Sequence, residues 1–220
     1  MKIKYLGQSG YIITTKKSQV IIDPYLSDIV NEVAGRKRLL PPPIKPEEIR
    51  ADAIICTHNH LDHLDIGAIP YMKDSQYFIT TEEGKEKLLE LNKTNVLSLK
   101  VGESTLVGDI EITAVFAKHT VEAFGVILKA DEKVLYFSSD TLFDERLFEV
   151  SLYKPDIAFL CINGKLGNMN VDEAVDVAKK LDAKLYIPNH YDMFLSNSED
   201  PSLFTDRVKN SRILEFLEEI

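Results

Sequence analysis

Apolar and β-branched residues cluster in short runs at the start of the chain. Residues 3–6, 11–14 and 19–22 read as strands, separated by Gly7-Gln8-Ser9-Gly10 and Lys16-Lys17-Ser18, whose Gly, Ser and charged residues punctuate hairpins. A strand meander is therefore expected to open the fold. Between 27 and 50 the pattern lapses: Arg36-Lys37-Arg38 is followed by Pro41-Pro42-Pro43 and Pro46, and prolines without an amide donor leave little room for regular structure. That stretch reads as a loop or flap. From residue 51 the pattern alternates, with strands at 53–57, 77–80, 96–99, 110–116, 125–129 and 134–138 and helices at 66–72 and 82–91. The alternation continues through a helix at 143–153, a buried strand at 157–162, a helix at 171–181 capped by Asn170, and a strand at 185–188. Residues 202–209 suit a helix after Pro201. The run 212–217 fits a helix or a last strand equally, because six residues do not separate the two periods. With no internal repeat, low-complexity segment or shift in composition, one domain over 1–220 is expected.

Composition narrows the class. The 220 residues are 45% apolar and 28% charged with 10 Gly and 9 Pro, which excludes collagen-like and wholly disordered chains. No apolar run reaches the ~18 residues of a membrane span, and Met1-Lys2-Ile3-Lys4-Tyr5-Leu6 lacks the apolar stretch of a signal peptide, so a cytoplasmic protein without a membrane partner is expected. Cys56 and Cys161 each follow apolar residues and read as buried strand thiols, not as a disulfide framework. A formal charge of -9 argues against nucleic acid or anionic lipid as the main partner. It leaves an anionic small molecule open, because distant carboxylates are screened beyond about 8 Å and the local field decides. A homo-oligomer is also left open.

The chemistry is concentrated in the histidines. Three of the five fall within Thr57-His58-Asn59-His60-Leu61-Asp62-His63, directly after the apolar run 53–56. In extended backbone His58 and His60 point to one side, while Asp62 and His63 lie past the following turn and aim elsewhere, so one loop can feed two adjacent metal positions. Imidazole and carboxylate suit Zn²⁺, Mn²⁺ or Fe²⁺, and the absence of Cys from the cluster argues against a structural thiolate site. The other two histidines, His119 and His190, also follow apolar runs, as does Asp140, which reads as a bridge between ligands.

His58-x-His60-x-Asp62-His63, then His119, Asp140 and His190 in that order, with Asp23 in Ile21-Ile22-Asp23-Pro24, resemble the metallo-β-lactamase fold superfamily. Within it, Gly7-Gln8-Ser9-Gly10-Tyr11, Arg38-Leu39-Leu40-Pro41-Pro42-Pro43, Gly167-Asn168-Met169-Asn170 and Pro188-Asn189-His190-Tyr191-Asp192-Met193-Phe194 are similar to segments of the L-ascorbate-6-phosphate lactonase group. The chain is short for the lactonase itself, which leaves the substrate open. The resemblance implies an α/β fold, an αββα four-layer sandwich of two mixed β-sheets flanked by helices, with metals at the sheet edges. It implies that His58, His60 and His119 hold one metal, that Asp62, His63 and His190 hold the other, and that Asp140 bridges them. Asp23 resembles an acid that fixes a ligand imidazole, or is a plain turn residue.

Two divalent ions, Mn²⁺ or Zn²⁺, against the carboxylates of Asp62 and Asp140 and a bridging hydroxide would leave a net charge of about +1 and supply hydroxide at neutral pH. The flavodiiron branch of the superfamily typically carries Glu where this chain has His60, so hydrolysis is favoured over oxygen reduction. Asp192 reads as a general acid, a further ligand contact or a solvated loop carboxylate. Asn163, Asn168 and Asn170 flank a Gly-containing turn and read as pocket-lining or structural residues. Arg36-Lys37-Arg38 reads as a solvated run or as a phosphate grip, with Arg36 and Arg38 offering bidentate forks. The expected activity is opening of a lactone, or cleavage of an ester, on a small phosphorylated metabolite. A phosphodiesterase or nuclease, and a metal-bound module without turnover, are the competing readings.

Overall fold

The structure is a computed structural model that describes residues 1–73 and 76–220. Its first sheet runs β1 (Lys2–Gly7), β2 (Gly10–Thr14), β3 (Gln19–Ile22), β4 (Ala53–Ile55), β5 (Tyr77–Thr80) and β6 (Val96–Ser98) side by side. The second runs β7 (Ser104–Val107), β8 (Ile110–Phe116), β9 (Phe124–Ala130), β10 (Lys133–Phe137), β11 (Ile157–Cys161) and β12 (Leu185–Asn189) in the same manner. Each sheet begins with antiparallel hairpins and ends with parallel strands. Parallel neighbours need crossovers, and these supply the outer layers: α2 (Glu82–Glu90) between β5 and β6, a 3₁₀ helix at Glu145–Tyr153 between β10 and β11, and α3 (Val171–Leu181) between β11 and β12, whereas α1 (Ile29–Ala34), between β3 and β4, packs Val30 beside Met193 and Phe194. The expected αββα sandwich is thus formed.

Strand parity explains the layers. Val20, Ile22, Ala53 and Ile55 face the second sheet and meet Ile112, Val126, Phe137 and Phe159, whereas Ile21, Ile54 and Cys56 face outward under Leu88 of α2, Ile69 and Met72. On the far side Tyr136, Ala158 and Leu160 pack beneath α3 and Val150 of the 3₁₀ helix. With both faces of the central strands buried, they read as continuous apolar runs, as parallel sheets do. Phe137 and Phe159 stack at 4.2 Å between ring centroids, with Tyr11 against both. Cys56 and Cys161 are buried free thiols, as expected.

Several sequence expectations change. Region 27–50 is not wholly irregular: it carries α1, which ends at Gly35 in left-handed backbone (φ 66°), and a 3₁₀ turn at Pro46–Glu48. The helix expected at 66–72 is only a 3₁₀ turn at Ile69–Tyr71, because Pro70 lacks the amide that a longer helix requires. The segment 143–153 winds as a 3₁₀ helix, and the helix after Pro201 closes as α4 (Ser202–Thr205). The run 212–217 is neither helix nor strand. Instead the tail passes along β12 through Arg212 N–H to Tyr186 O (3.0 Å), then along β1 through Tyr5 N–H to Glu218 O (2.9 Å) and Ile3 N–H to Ile220 O (2.8 Å). It thereby covers one edge of each sheet. Strand β7 was not expected from its mostly exposed Ser-Thr-Leu-Val sequence.

Because Phe159 is fully buried and stacked, Phe159→Ala should lower the unfolding free energy by about 3–5 kcal/mol in urea titrations. A loss below ~1 kcal/mol would mean that the inter-sheet layer is not packed as described.

Candidate metal centre

Strands β3, β4, β8, β10 and β12 end on the same edge of the sandwich, and each delivers a polar residue there. Asp23 follows β3, Thr57 and His58 follow β4, His119 follows β8, Asp140 follows β10 and His190 follows β12. The two sheets meet at this edge through Phe124 N–H to Thr57 O (3.2 Å) and a bridge between His58 and Ala123. After His60 the chain turns, with His63 N–H and Leu64 N–H donating to His60 O at 3.0 and 2.8 Å. That turn swings Asp62 and His63 away from His58 and His60, as the spacing required.

The side chains collect into two sets. His58, His60, His119 and Asp140 form one, and Asp62, His63 and His190 form the other, with the candidate ligand atoms of each set within 4.8 Å of one another. In the first set His60 Nδ1 lies 3.1 Å from His58 Nε2 and 3.1 Å from His119 Nε2. Asp140 stands between the sets: Oδ2 is 3.2 Å from His190 Nε2 and 3.8 Å from His119 Nε2, and Oδ1 is 3.3 Å from His63 Nε2.

On His58, His63 and His119 the nitrogen that faces outward is held by another group. His63 Nδ1 is 2.8 Å from Asp23 Oδ2, so Asp23 is the acid that fixes a ligand ring and not a plain turn residue. Asp23 also accepts from Thr57 N–H and Thr57 Oγ1, both at 2.8 Å, and Ser139 Oγ donates to Thr57 Oγ1 at 2.7 Å. With its proton given to Asp23, Thr57 Oγ1 can only accept from His58 Nδ1 at 3.1 Å, which leaves the His58 Nε2 lone pair for a metal. His119 Nδ1 donates to Gly167 O at 3.0 Å and likewise frees Nε2. Gly167 has φ 94°, and a Cβ there would stand 2.9 Å from His119 Nδ1, so this approach requires glycine.

Such a donor set fits a transition metal. A tetrahedral ion with bonds of about 2.0–2.1 Å spaces its nitrogens about 3.3 Å apart, close to the separations found. Burial pushes the His58, His60 and His119 imidazoles below their ordinary value, so they present neutral lone pairs. Burial also opposes charge on His63 and His190, but carboxylates, Asp140 foremost, outweigh it and hold both above the ordinary value. Asp140 shows the reciprocal effect: burial pushes its carboxyl up, yet His190 and His63 keep it well below the usual range. Its Oδ1 is buried with no aligned hydrogen-bond donor among the described residues, which leaves a lone pair for a cation.

The sets form the floor of a cavity of 460 Å³. His60, Asp62, Asp140 and His190 are exposed to it, Val30, Leu61, Leu166 and Phe194 form apolar walls, and Arg36 reaches it from the flap. The sequence profile of the Beta-lactamase superfamily domain matches residues 18–191, a span that contains every one of these ligands. The chain belongs to that family. The chain of this beta-lactamase superfamily member is 29% identical over 230 residues to a UPF0173 metal-dependent hydrolase of Methanosphaera stadtmanae, covering 97% of this chain and 93% of that protein. Among solved structures it is similar in fold to Igni18, a metallo hydrolase of the archaeon Ignicoccus hospitalis (TM-score 0.80, 23% identity, 100% and 97% of the two chains). It is also similar to the isothiocyanate hydrolase from Delia radicum gut bacteria (TM-score 0.84, 19% identity, 100% and 98%). Its architecture is the metallo-β-lactamase fold.

Other candidates fall elsewhere. Asp192 is exposed and its carboxylate accepts from Ser198 Oγ at 2.5 Å, away from the cavity, so the solvated-loop reading describes it. Asn168 is buried and does not line the cavity; its amide donates to Asp140 Oδ2 at 2.9 Å and orients the bridging carboxylate. Asn163 is buried behind Asn197, to which it donates at 2.7 Å, and Asn170 is the helix cap. Arg38 spends its guanidinium on the carbonyls of Leu40 and Ser27 (both 2.6 Å), Tyr25 (3.3 Å) and Pro41 (3.4 Å), stacked over Tyr25. It builds the flap and does not line the cavity. Sequence reasoning missed Gln8, Thr57 and Asp65. Asp65, 1% exposed, ties the flap to the ligand loop by accepting from Leu26 N–H and Ser27 N–H at 2.7 Å and from Gly67 N–H and Ala68 N–H at 3.1 and 3.0 Å. Only its position two residues after His63 hinted at this.

Elemental analysis of purified protein should find close to two transition metals per chain, and His58→Ala or Asp140→Ala should lower that content. Wild type and both variants equally metal-free and equally active would remove the site. Asp140→Asn should keep the circular dichroism of the wild type and lose most turnover, since the shared charge between the sets is gone.

Proposed function

We propose that this protein is a metal-dependent hydrolase that opens a lactone or cleaves an ester of a small phosphorylated metabolite, using two Mn²⁺ or Zn²⁺ ions. The observation that carries the reading is the pair of ligand sets sharing Asp140 on the floor of a cavity with apolar walls and one unengaged cation, Arg36. The name of the Methanosphaera relative and of the two hydrolases of similar fold support it. Held by His58, His60, His119, Asp140, Asp62, His63 and His190, divalent ions would lower the pKa of water toward ~7 and polarise a carbonyl or phosphoryl oxygen.

The protein's own groups do the rest. Asn168 and the imidazoles of His63 and His190 hold Asp140 between the sets. Asp62, whose side chain is 18% exposed against 6% for Asp140, would take a proton from an attacking water. Val30, Leu61, Leu166 and Phe194 exclude water and favour a substrate with an apolar face. His60, where the flavodiiron branch typically carries Glu, supports hydrolysis over oxygen chemistry. The phosphorylated-lactone assignment rests on motif resemblance together with Arg36, which has no hydrogen bond or ion pair among the described residues. Arg36 is the single Lys or Arg in the cavity lining, which gives no track for a nucleic-acid backbone.

A panel of lactones, phosphodiesters and short RNA, each with and without chelator, tests the reaction class; chelator-insensitive turnover, or turnover of RNA alone, would overturn it. The two arginines then separate binding from scaffolding. Arg36→Ala should raise KM for a phosphorylated lactone about tenfold, equivalent to ~1.4 kcal/mol, and leave an unphosphorylated analogue unchanged. Arg38→Ala should instead lower the thermal midpoint and affect both substrates alike, because it removes the carbonyl contacts that hold the flap.

A further inference from the structure

The turn between β1 and β2 contributes a residue to the centre that has no titratable group. Gln8 is 1% exposed and sits in left-handed backbone at φ 54°, directly after Gly7 at φ 97°. Its side-chain amide reaches across to Asp62 and donates to Oδ2, and the same nitrogen lies 3.3 Å from His190 Nε2. An ionised carboxylate only accepts, which assigns the amide nitrogen, not its oxygen, to the Asp62 side. The backbone is engaged as well: Gln8 O accepts from His190 N–H at 3.1 Å and from the Tyr5 hydroxyl at 3.4 Å.

Asp62 depends on this contact. It comes from the turn after His60, its side chain is partly exposed, and its remaining close neighbours are His63 Nε2 at 3.8 Å and His190 Nε2 at 3.7 Å, both beyond hydrogen-bonding distance. Among the described residues the Gln8 amide makes the one hydrogen bond to the carboxylate. The first set has no such dependence: His58 is held by Thr57 and His119 by Gly167. Groups that orient a ligand carboxylate typically govern metal affinity by 10–100-fold.

We infer that Gln8 is a positioning residue for the Asp62–His63–His190 subsite, fixing Asp62 and seating His190 so that a second divalent ion is held, while the His58–His60–His119 subsite fills without it. The proposal rests on the dinuclear reading and deepens it: residue 8 decides whether the centre holds one ion or two.

The test is a calorimetric titration of the metal-stripped full chain with Zn²⁺, and separately with Mn²⁺. Gln8→Gly is the informative variant, since glycine accepts the left-handed backbone and removes only the amide arm. Wild type should bind in two steps. Gln8→Gly should keep the first dissociation constant and weaken the second at least tenfold, with the thermal midpoint of the metal-free protein unchanged or raised. In an Asp62→Asn background, Gln8→Gly should have little further effect on the second step, because the amide acts through that carboxylate. Two unchanged steps in Gln8→Gly would overturn the proposal alone, as would equal weakening of both steps, which is the signature of a merely structural turn. A Gln8→Gly effect that persists in full beside Asp62→Asn would make residue 8 a ligand in its own right and overturn the positioning role. A wild type that takes up a single ion would overturn the dinuclear reading and this proposal with it.

Discussion

Imidazole nitrogens and carboxylate oxygens stand 3.1–3.8 Å apart where the sheets converge, and much of the surrounding structure exists to keep them there. Left to relax, neutral lone pairs at that distance repel and buried carboxylates seek water, so the arrangement is costly without a cation. The outward-facing nitrogens of His58, His63 and His119 are therefore engaged. Asp23, Thr57 and Ser139 form one chain of hydrogen bonds that fixes His58 and His63 together, and Gly167 O fixes His119. A single hydroxyl, Thr57 Oγ1, links ligands of both sets. The centre is thus one coupled network, not seven independent side chains.

The backbone bears part of the cost. Asp23, Ser139 and His190 follow β3, β10 and β12, and each adopts positive φ (44°, 59° and 62°) although none is glycine; Gln8, in the turn after β1, does the same. Left-handed backbone at a residue with a Cβ costs on the order of 1 kcal/mol or more, and it is tolerated where surrounding contacts over-determine the geometry. Here the sharp reversal lets a strand end stop at the rim and aim its side chain back between the sheets. The inter-sheet layer of Phe137, Phe159 and Tyr11 directly beneath supplies the burial that makes these bends sustainable.

What could be read from the sequence follows from the range over which each signal acts. Parity within single strands, the Asn170 cap of α3 and the spacing His58-x-His60-x-Asp62-His63 are local, and the strands, the helix start and the division of ligands into two sets were legible from them. His119, Asp140 and His190 were legible because a titratable residue after an apolar run is unusual. Gln8 and Thr57 carry no such mark: their roles depend on Asp62 and Asp23, 54 and 34 positions away. Arg36 and Arg38 look alike in sequence, and only the carbonyls of Tyr25, Ser27, Leu40 and Pro41 tell the scaffold arginine from the free one. The helix expected at 66–72 failed on Pro70, whose missing amide outweighed the apolar periodicity. Region 27–50 hid α1 because the six residues between Asp28 and Gly35 span fewer than two helical turns, too few for an apolar period to show.

Each ligand set is drawn from both halves of the chain. His58 and His60 come from the loop after β4, while His119 and Asp140 come from the second sheet; Asp62 and His63 come from the first part, while His190 follows β12. An ion held by either set would therefore have ligands from both sheets. Because the unfolded chain does not present such a set, ion binding adds to the stability of the sandwich by mass action, about 2.7 kcal/mol at a free-ion concentration one hundred times Kd. That sum is comparable to what the left-handed residues at the strand ends cost. Binding and folding are thus two sides of one balance: the sandwich holds the candidate ligands in an arrangement that a cation would relieve, and the cation would in turn hold the sheets together at that edge.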